Sequence, residues 1–139
     1  IDTMAEALGV GPVPDVGWDD TLDAAVEEVR WMLGSGLTEN IYQNALAAEL
    51  RVRGHVVEVE RVFEVQYKDT FVGFLRADLV VDQRVVLEIK SVAKITDAHM
   101  AQLDAYLRWL PCKPVVGSVV NFDLKGHAEI RTVEKPIDS

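Results

Sequence analysis

The chain has 139 residues, of which 49% are hydrophobic and 27% are charged, and this composition excludes a disordered or fibrous protein. The length is that of one domain with a buried core. No apolar run approaches the ~20 residues of a membrane span, so we expect no membrane partner. The single cysteine, Cys112, excludes an intrachain disulfide and a cysteine zinc cluster. Because the N-terminus lacks a signal-peptide pattern, we expect a cytoplasmic protein.

The net charge of −9 argues against a nucleic-acid partner, because such binding rests largely on Lys and Arg meeting phosphate. The distribution of the charge weakens this argument. Residues 1–30 carry eight acidic side chains and one basic side chain, whereas residues 31–139 carry fifteen and thirteen. A polyanionic substrate is therefore not excluded. The absence of a basic patch nevertheless predicts that nonspecific binding is not tight.

Residues 1–18 are punctuated by Gly and Pro and predict an N-terminal arm, followed by a single domain over residues 19–139. A helix is predicted from Asp19, because apolar residues then recur at helical spacing until the glycines at 34 and 36. A second helix is predicted over residues 38–53 with Thr38 as its N-cap.

Strand patterns follow the two helices. Apolar and polar residues alternate over residues 57–67, which is typical of a half-buried strand. A turn at residues 68–70 leads into a second strand. The remaining pattern predicts the order α-α-β-β-β-α-β, with an optional last edge strand. The predicted elements after the turn are strands at 71–81 and 85–90, a helix at 96–110, and strands at 115–122 and 127–134.

Asp78, Glu88 and Lys90 are the candidate catalytic residues on two neighbouring strands. Successive side chains of a strand alternate between faces, so Glu88 and Lys90 project together while Ile89 enters the core. Two carboxylates suit a divalent cation, and a nearby lysine can orient or deprotonate water. The pattern D-x9-E-x-K is weak alone, because Glu88 and Lys90 could instead form a solvent-facing charge pair.

A shared face for the two carboxylates constrains the loop between their strands. Directly opposed residues of an antiparallel pair share a face, so Asp78 must lie across from Glu88. This register leaves residues 82–84 as a three-residue loop. A three-residue turn at 68–70 would likewise set Glu60 opposite Asp78 as an accessory acid. The alternative is that Glu60 is a solvated strand residue.

Five short motifs in a fixed order carry a resemblance to a known family. They are G-x-x-E-x-x-Y at residues 36–42, RADLVV, LEIK, H-x-x-Q-L-x-x-Y-L at residues 99–107, and Asn121-Phe122. With them the chain resembles the GxxExxY family, which is placed in the PD-(D/E)XK nuclease superfamily, over about residues 19–133. The resemblance implies an α/β fold with a mixed central sheet flanked by helices in αβββαβ order. This order matches the elements predicted above.

The resemblance also implies roles for individual residues. One departure from its pattern is Ala77, which stands where a proline often precedes the aspartate. Gln102 and Tyr106 could alternatively form an ordinary amphipathic helix face. The resemblance implies that Glu39 is an acidic residue on the first core helix that reaches toward the metal, and that Asp78, Glu88 and the Ile89 carbonyl are metal ligands. Glu88 and Lys90 would form the E-x-K pair, and Gln102 and Tyr106 the Q-x-x-x-Y motif.

These roles predict metal-assisted hydrolysis of a phosphodiester. Hard oxygen ligands favour Mg²⁺ or Mn²⁺. The expected partner is nucleic acid, DNA in preference to RNA, and a homodimer is allowed. Two alternatives remain open. One is a domain that keeps the fold but acts as a binding or regulatory module, and the other is phosphoester chemistry on a nucleotide.

Overall fold

The computed structural model describes residues 17–135, so residues 1–16 of the predicted arm over residues 1–18 lie outside the described part. No helix within residues 17–135 has the length and apolarity needed to cross a membrane. In this part of the chain, three helices and five strands follow one another in the order expected from the sequence. The elements are α1 (Trp18–Leu33), α2 (Glu39–Val52), β1 (Val57–Tyr67), β2 (Thr70–Val81), β3 (Val85–Lys90), α3 (Asp97–Trp109), β4 (Val116–Phe122) and β5 (Ala128–Glu134).

The five strands form one mixed sheet in the spatial order β1-β2-β3-β4-β5. The pair β3–β4 is parallel and is connected through α3, whereas the other three pairs are antiparallel. A parallel connection needs a crossover long enough to hold a helix, and α3 supplies it. The predicted mixed α/β fold is therefore confirmed.

Helices cover both faces of the sheet. Leu79, Leu87 and Ile89 pack in the cluster beneath α1 and α2. Val80 and Val86, on the opposite face, pack in the cluster beneath α3. Because both faces are buried, the central strands are almost continuously apolar, and a charged side chain within them needs a specific partner.

The helix ends agree with the sequence to within a residue or two. Trp18, which was expected in the arm, begins α1 and is buried in the core. Thr38 occupies the N-cap of α2 as predicted, although its side chain makes no capping hydrogen bond. In α3, Thr96 and His99 form a reciprocal capping box, which gives His99 a structural role at the helix start.

The loop between β2 and β3 is the predicted three-residue loop. Val81 pairs with Val85 and Val80 pairs with Val86, which leaves residues 82–84 as the turn. Asp82 is fully buried in this loop. Its carboxylate accepts hydrogen bonds from the Val56 amide at 2.9 Å and from Nδ1 of His55 at 2.7 Å. The loop is thereby attached to the segment that enters β1.

The turn between β1 and β2 differs from the prediction. Tyr67 pairs with Thr70, so the turn has two residues, Lys68 and Asp69. An extra residue in β2, Val72, then shifts the pairing, and Val65 faces Gly73. The bulge offsets the shorter turn, so the inner register is the predicted one. Apolar packing of the inner strands sets this register, and the local bulge accommodates it.

The side-chain alternation of the β1–β2 hairpin shifts at Glu60 and Asp78. Toward the sheet centre, Val59 and Leu79 pack beneath α1 and α2. Toward the hairpin tip, Phe63 packs against α3. The shift coincides with a left-handed backbone at Glu60, whose φ is 54°. The outer half of the hairpin is thus turned over relative to its inner half, and Asp78 lies where this change occurs.

The buried Asp82 generates a stability prediction. We expect Asp82→Ala to destabilise the protein by about 2–4 kcal/mol, because it leaves the Val56 amide and the His55 ring without their acceptor. Urea denaturation measures this change. The control is Asp69→Ala in the exposed β1–β2 turn, which should change stability by less than about 0.5 kcal/mol. Equal effects of both substitutions would contradict this account of the loop.

Candidate active site

The strands β2 and β3 separate at Asp78 and Glu88, one position beyond the last bridged pair, Leu79 with Leu87. Side chains replace the backbone ladder at this point. The Asp78 amide donates to Oε1 of Glu88 at 3.0 Å, and the Ile89 amide donates to Oδ2 of Asp78 at 2.8 Å. Two carboxylates are therefore held across from each other, each accepting a main-chain hydrogen bond from the opposite strand.

Glu88 is almost fully buried, with 3% of its surface exposed. Burial, followed by the nearby charge of Asp78, raises its pKa to about 8. The Asp78 amide and the charge of Lys90 oppose this rise only in part. The alternative of a solvent-facing Glu88–Lys90 charge pair is therefore wrong for Glu88.

Asp78 is half-buried, and burial is the main cause that raises its pKa above the ordinary value. The charge of Glu39 raises this pKa further, whereas the Ile89 amide and the charges of Lys90 and Arg76 lower it. Three charged side chains, Glu39, Lys90 and Arg76, thus act on Asp78 at this end of the sheet.

Glu39 is the first residue of α2 and reaches the end of β3. Its Oε2 accepts a hydrogen bond from the amide of Ser91 at 3.2 Å, and Ser91 directly follows Lys90. The side chain of Glu39 is exposed. The helix and the two strands therefore bring their predicted site residues to the same region, although Glu39 is held there by a single main-chain contact.

The tyrosine of G-x-x-E-x-x-Y anchors the turn before Glu39. The hydroxyl of Tyr42 donates to the Gly34 carbonyl at 2.6 Å and accepts from the Leu37 amide at 3.3 Å. Its ring stacks on Phe122 with a centroid distance of 4.5 Å and an interplanar angle of 7°. Tyr42 and Phe122 therefore fix the start of α2 against β4.

Asn121 holds the chain that follows Lys90. Its Oδ1 accepts from the Val92 amide at 2.9 Å, and its Nδ2 donates to the Val92 carbonyl at 3.0 Å. Asn121 is buried and lies beside Lys90 in the parallel β3–β4 register. The sequence marked Asn121 as part of a motif but assigned it no role. The structure shows that it positions the segment whose Ser91 amide contacts Glu39.

Helix α3 contributes Tyr106 to this region but leaves Gln102 at the surface. Tyr106 is buried in the cluster beneath α3, edge-to-face with Phe63 at 6.2 Å. Burial, followed by the charges of Glu88 and Asp78, raises the pKa of Tyr106 to about 12. The phenol therefore stays protonated and can donate a hydrogen bond near the two carboxylates. Gln102, one helical turn earlier, is exposed.

Glu60 does not join the two carboxylates. It forms an ion pair with Arg76 at 3.3 Å, and both side chains are exposed. The alternative of a solvated strand residue therefore describes it better than an accessory acid. Sequence reasoning overlooked its partner Arg76, whose charge acts on Asp78. The available signal was its position in RADLVV, two residues before Asp78 and on the same side of an alternating strand.

The donor set fits a divalent cation, although no three of the His, Cys, Asp and Glu side chains within residues 17–135 stand at metal-binding spacing. Glu39, Asp78 and Glu88 each accept from a main-chain amide instead of converging. The fit rests on the nature of the oxygens and on charge. Two adjacent carboxylates, one of them buried, carry an electrostatic cost that a cation would relieve.

Comparison with known proteins identifies a family match along most of the chain. The model of the PD-(D/E)XK nuclease superfamily matches residues 18–133. No curated protein matches the sequence. Among solved structures, the crystal structure of SSO0001 aligns with 15% sequence identity and a TM-score of 0.49, covering 86% of this chain and 78% of that chain.

The raised pKa of Glu88 predicts that Glu88→Gln increases the free energy of unfolding in a pH-dependent way when EDTA removes divalent metal. The pKa of Glu88 in the folded protein, about 8, exceeds its ordinary value of 4.5. Burial of Glu88 therefore costs no stability below pH 4.5, where the group is protonated in both states, and it destabilises the wild type progressively as pH rises toward 8. Glutamine keeps the acceptor oxygen without the charge. We therefore expect no difference from wild type near pH 4.5 and a gain on the order of 3–5 kcal/mol above pH 8.

Denaturant titrations at several pH values measure this difference. The control is Glu60→Gln, which removes an exposed acid and should give a nearly flat profile. If the stability difference between Glu88→Gln and wild type varied as little with pH as that of the control, Glu88 would not be a buried carboxyl with a raised pKa.

Proposed function

The chain belongs to the PD-(D/E)XK nuclease superfamily, and we propose that it is a divalent-metal-dependent nuclease that hydrolyses phosphodiester bonds of nucleic acid. The observation that carries this proposal is the pair of carboxylates, Asp78 and Glu88, held side by side where β2 and β3 separate. A buried acid beside a half-buried one is costly to a fold unless the pair serves a positive ligand or a proton transfer.

We propose Mg²⁺ or Mn²⁺ as the cofactor. Asp78 and Glu88 would hold it, with the exposed Glu39 and the main-chain carbonyl of Ile89 as further oxygen donors. Such a cation, when bound, polarises a phosphoryl oxygen and lowers the pKa of its bound water. The protein supplies the positions of the carboxylates, and Asn121 and Tyr42 hold the segments that carry the neighbouring groups.

The remaining residues bind and orient the reacting groups. Lys90 follows Glu88 on the same strand face and lies close enough to influence both carboxyls. We assign it to orienting the attacking water or stabilising the negative charge that develops on phosphate. The protonated phenol of Tyr106 is suited to donate a hydrogen bond at the inner wall of the site. Gln102, which is exposed, would contact substrate rather than metal.

Within the superfamily we assign the chain to the GxxExxY family. The structural roles of Gly36, Glu39 and Tyr42 support the assignment, because the glycine adopts a φ of 93°, the acid reaches β3, and the tyrosine fixes the intervening turn. We propose DNA, in preference to RNA, as the substrate.

One other function is favoured by a specific observation. The three acids accept main-chain hydrogen bonds, and the chain has a net charge of −9. A nuclease fold that binds a partner without cleaving it would tolerate both features. This binding module would show no metal-dependent hydrolysis of any nucleic acid.

The first test is cleavage of single- and double-stranded DNA and RNA with millimolar Mg²⁺ or Mn²⁺. We expect Asp78→Asn, Glu88→Gln and Lys90→Met each to lower the rate at least ~100-fold, because each removes a group proposed to act on the metal or the transition state. The matched control is Lys125→Met in the exposed β4–β5 turn, which should retain wild-type activity. Equal rates for Lys90→Met and the control would remove Lys90 from the mechanism.

The second test is the melting temperature as a function of metal concentration. A ligand that binds only the folded state stabilises by about 1.4 kcal/mol at ten times its Kd, which corresponds to a rise of a few degrees. We expect this shift in the wild type and its loss in Asp78→Asn, whose amide oxygen can still accept from Ile89. An unchanged wild-type melting curve together with no cleavage would favour the binding module.

A further inference from the structure

The β1–β2 hairpin extends well beyond the rest of the sheet. β3 pairs only with residues 79–81 of β2, so within residues 17–135 the segment 70–78 is bridged to β1 alone. This projecting part begins at Asp78. Its surface is unusually apolar for an exposed ribbon. The exposed apolar residues on it are Val62, Tyr67, Phe71, Val72 and Phe74.

The two faces of the projecting hairpin are not equivalent. Phe63 and Leu75 belong to the cluster beneath α3, so that face is covered. Val62, Phe74 and Arg76 alternate with these residues and therefore lie on the other face. Beneath α1 and α2 this side of the sheet is buried, but the hairpin reaches past both helices and the face is exposed.

Two aromatic rings stand together on this exposed face. Phe71 and Phe74 contact each other edge-to-face at 4.9 Å, and 49% and 63% of their surfaces are exposed. Residues three apart in a regular strand point to opposite faces. Val72, the extra residue of the bulge, places both rings on the same face. The bulge therefore assembles an aromatic platform at the surface.

A positively charged side chain, Arg76, lies between the aromatic platform and the candidate active site along β2. Arg76 is two residues from Phe74 and two residues from Asp78, and its charge acts on the Asp78 carboxyl. Its ion pair with Glu60 at 3.3 Å is exposed and therefore contributes little to stability. A phosphate group could replace Glu60 at this guanidinium without disturbing the fold.

We propose that this face, formed by Phe71, Phe74 and Arg76, binds a single-stranded segment of the nucleic-acid substrate and leads it to Asp78 and Glu88. Bases stack on the two rings and a phosphate binds the guanidinium. This inference rests on the proposed nuclease function and adds its substrate class. Aromatic side chains bind unpaired bases of any sequence because every base has a flat apolar face.

The charge of the hairpin favours single strands over duplex. Residues 60–77 carry three acidic and three basic side chains, so their balance is zero. Duplex binding depends on many phosphate contacts, which this surface does not offer. Stacking requires little positive charge. The affinity should therefore depend weakly on salt, with a logarithmic slope of about −0.7 to −1.4 for one or two phosphate contacts to a single strand.

Binding is measured in the Asp78→Asn variant, so that cleavage does not interfere, using fluorescently labelled oligo(dT), oligo(U) and a DNA duplex. We expect the single strands to bind at least ~10-fold more tightly than the duplex. Phe71→Ala/Phe74→Ala should weaken single-strand binding by about 20-fold or more. Arg76→Gln should weaken it less and bring the salt slope about 0.7 closer to zero. The matched control is Trp31→Ala, which removes an exposed ring on α1 and should have no effect.

A second variant separates stacking from apolar contact with another copy of the chain. Phe71→Leu/Phe74→Leu keeps an apolar surface but removes the rings. We expect it to lose single-strand binding as the alanine variant does. Sedimentation velocity follows self-association in parallel. A dimer that dissociates only in the alanine variant, with single-strand binding unchanged in both variants, would overturn the proposal and identify a dimer interface.

Further outcomes distinguish this inference from the proposed function. Equal binding of duplex and single strands, or unchanged binding in Phe71→Ala/Phe74→Ala, overturns the inference alone. The proposed function is tested independently with bis(p-nitrophenyl) phosphate, a small phosphodiester that does not reach the hairpin. Wild-type protein that hydrolyses neither this compound nor any nucleic acid lacks the proposed activity, whatever the hairpin binds.

Discussion

The structure of the candidate site depends on the reciprocal hydrogen bonds where β2 and β3 separate. Asp78 and Glu88 each accept an amide proton from the opposite strand, in place of the backbone ladder. The strands can therefore open without leaving buried amides unpaired. Because the same two carboxylates are the candidate metal ligands, the element that ends the strand pairing also creates the site. The three-residue loop at Asp82 sets the register that makes this possible.

Hydrogen bonds position the segments on either side of the two carboxylates, whereas the charge of the carboxylates is poorly compensated. Tyr42 fixes the turn before Glu39, and Asn121 fixes the segment after Lys90. The pKa of Glu88 is nevertheless raised to about 8, since the protein buries it beside a second acid with little compensation. Structural acids are normally given partners that lower their pKa. A ligand of positive charge bound beside Glu88 would relieve this condition.

The hairpin shows how a correct register can follow from an incorrect local prediction. The sequence predicted a three-residue turn at 68–70, whereas the structure has a two-residue turn and a bulge at Val72. The two differences cancel, because burial of Val57 and Val59 in the core beneath α1 and α2 determines the pairing. Glu60 and Asp78 lie between the pairs Val59–Leu79 and Arg61–Ala77 without pairing themselves. Glu60 has a left-handed backbone, and its side chain forms an ion pair with Arg76 at the surface.

The sequence by itself determined the α/β class, the element order and the relation of Asp78 to Glu88, since these follow from periodicity, turn length and motif spacing. It could not determine burial or hydrogen-bond partners, which depend on residues distant in the chain. Only the tertiary structure placed Glu39 at the Ser91 amide, left Gln102 exposed while burying Tyr106, and brought Arg76 to Asp78. The physical reason is that these properties arise from packing between elements, and local sequence patterns carry no information about which elements pack together.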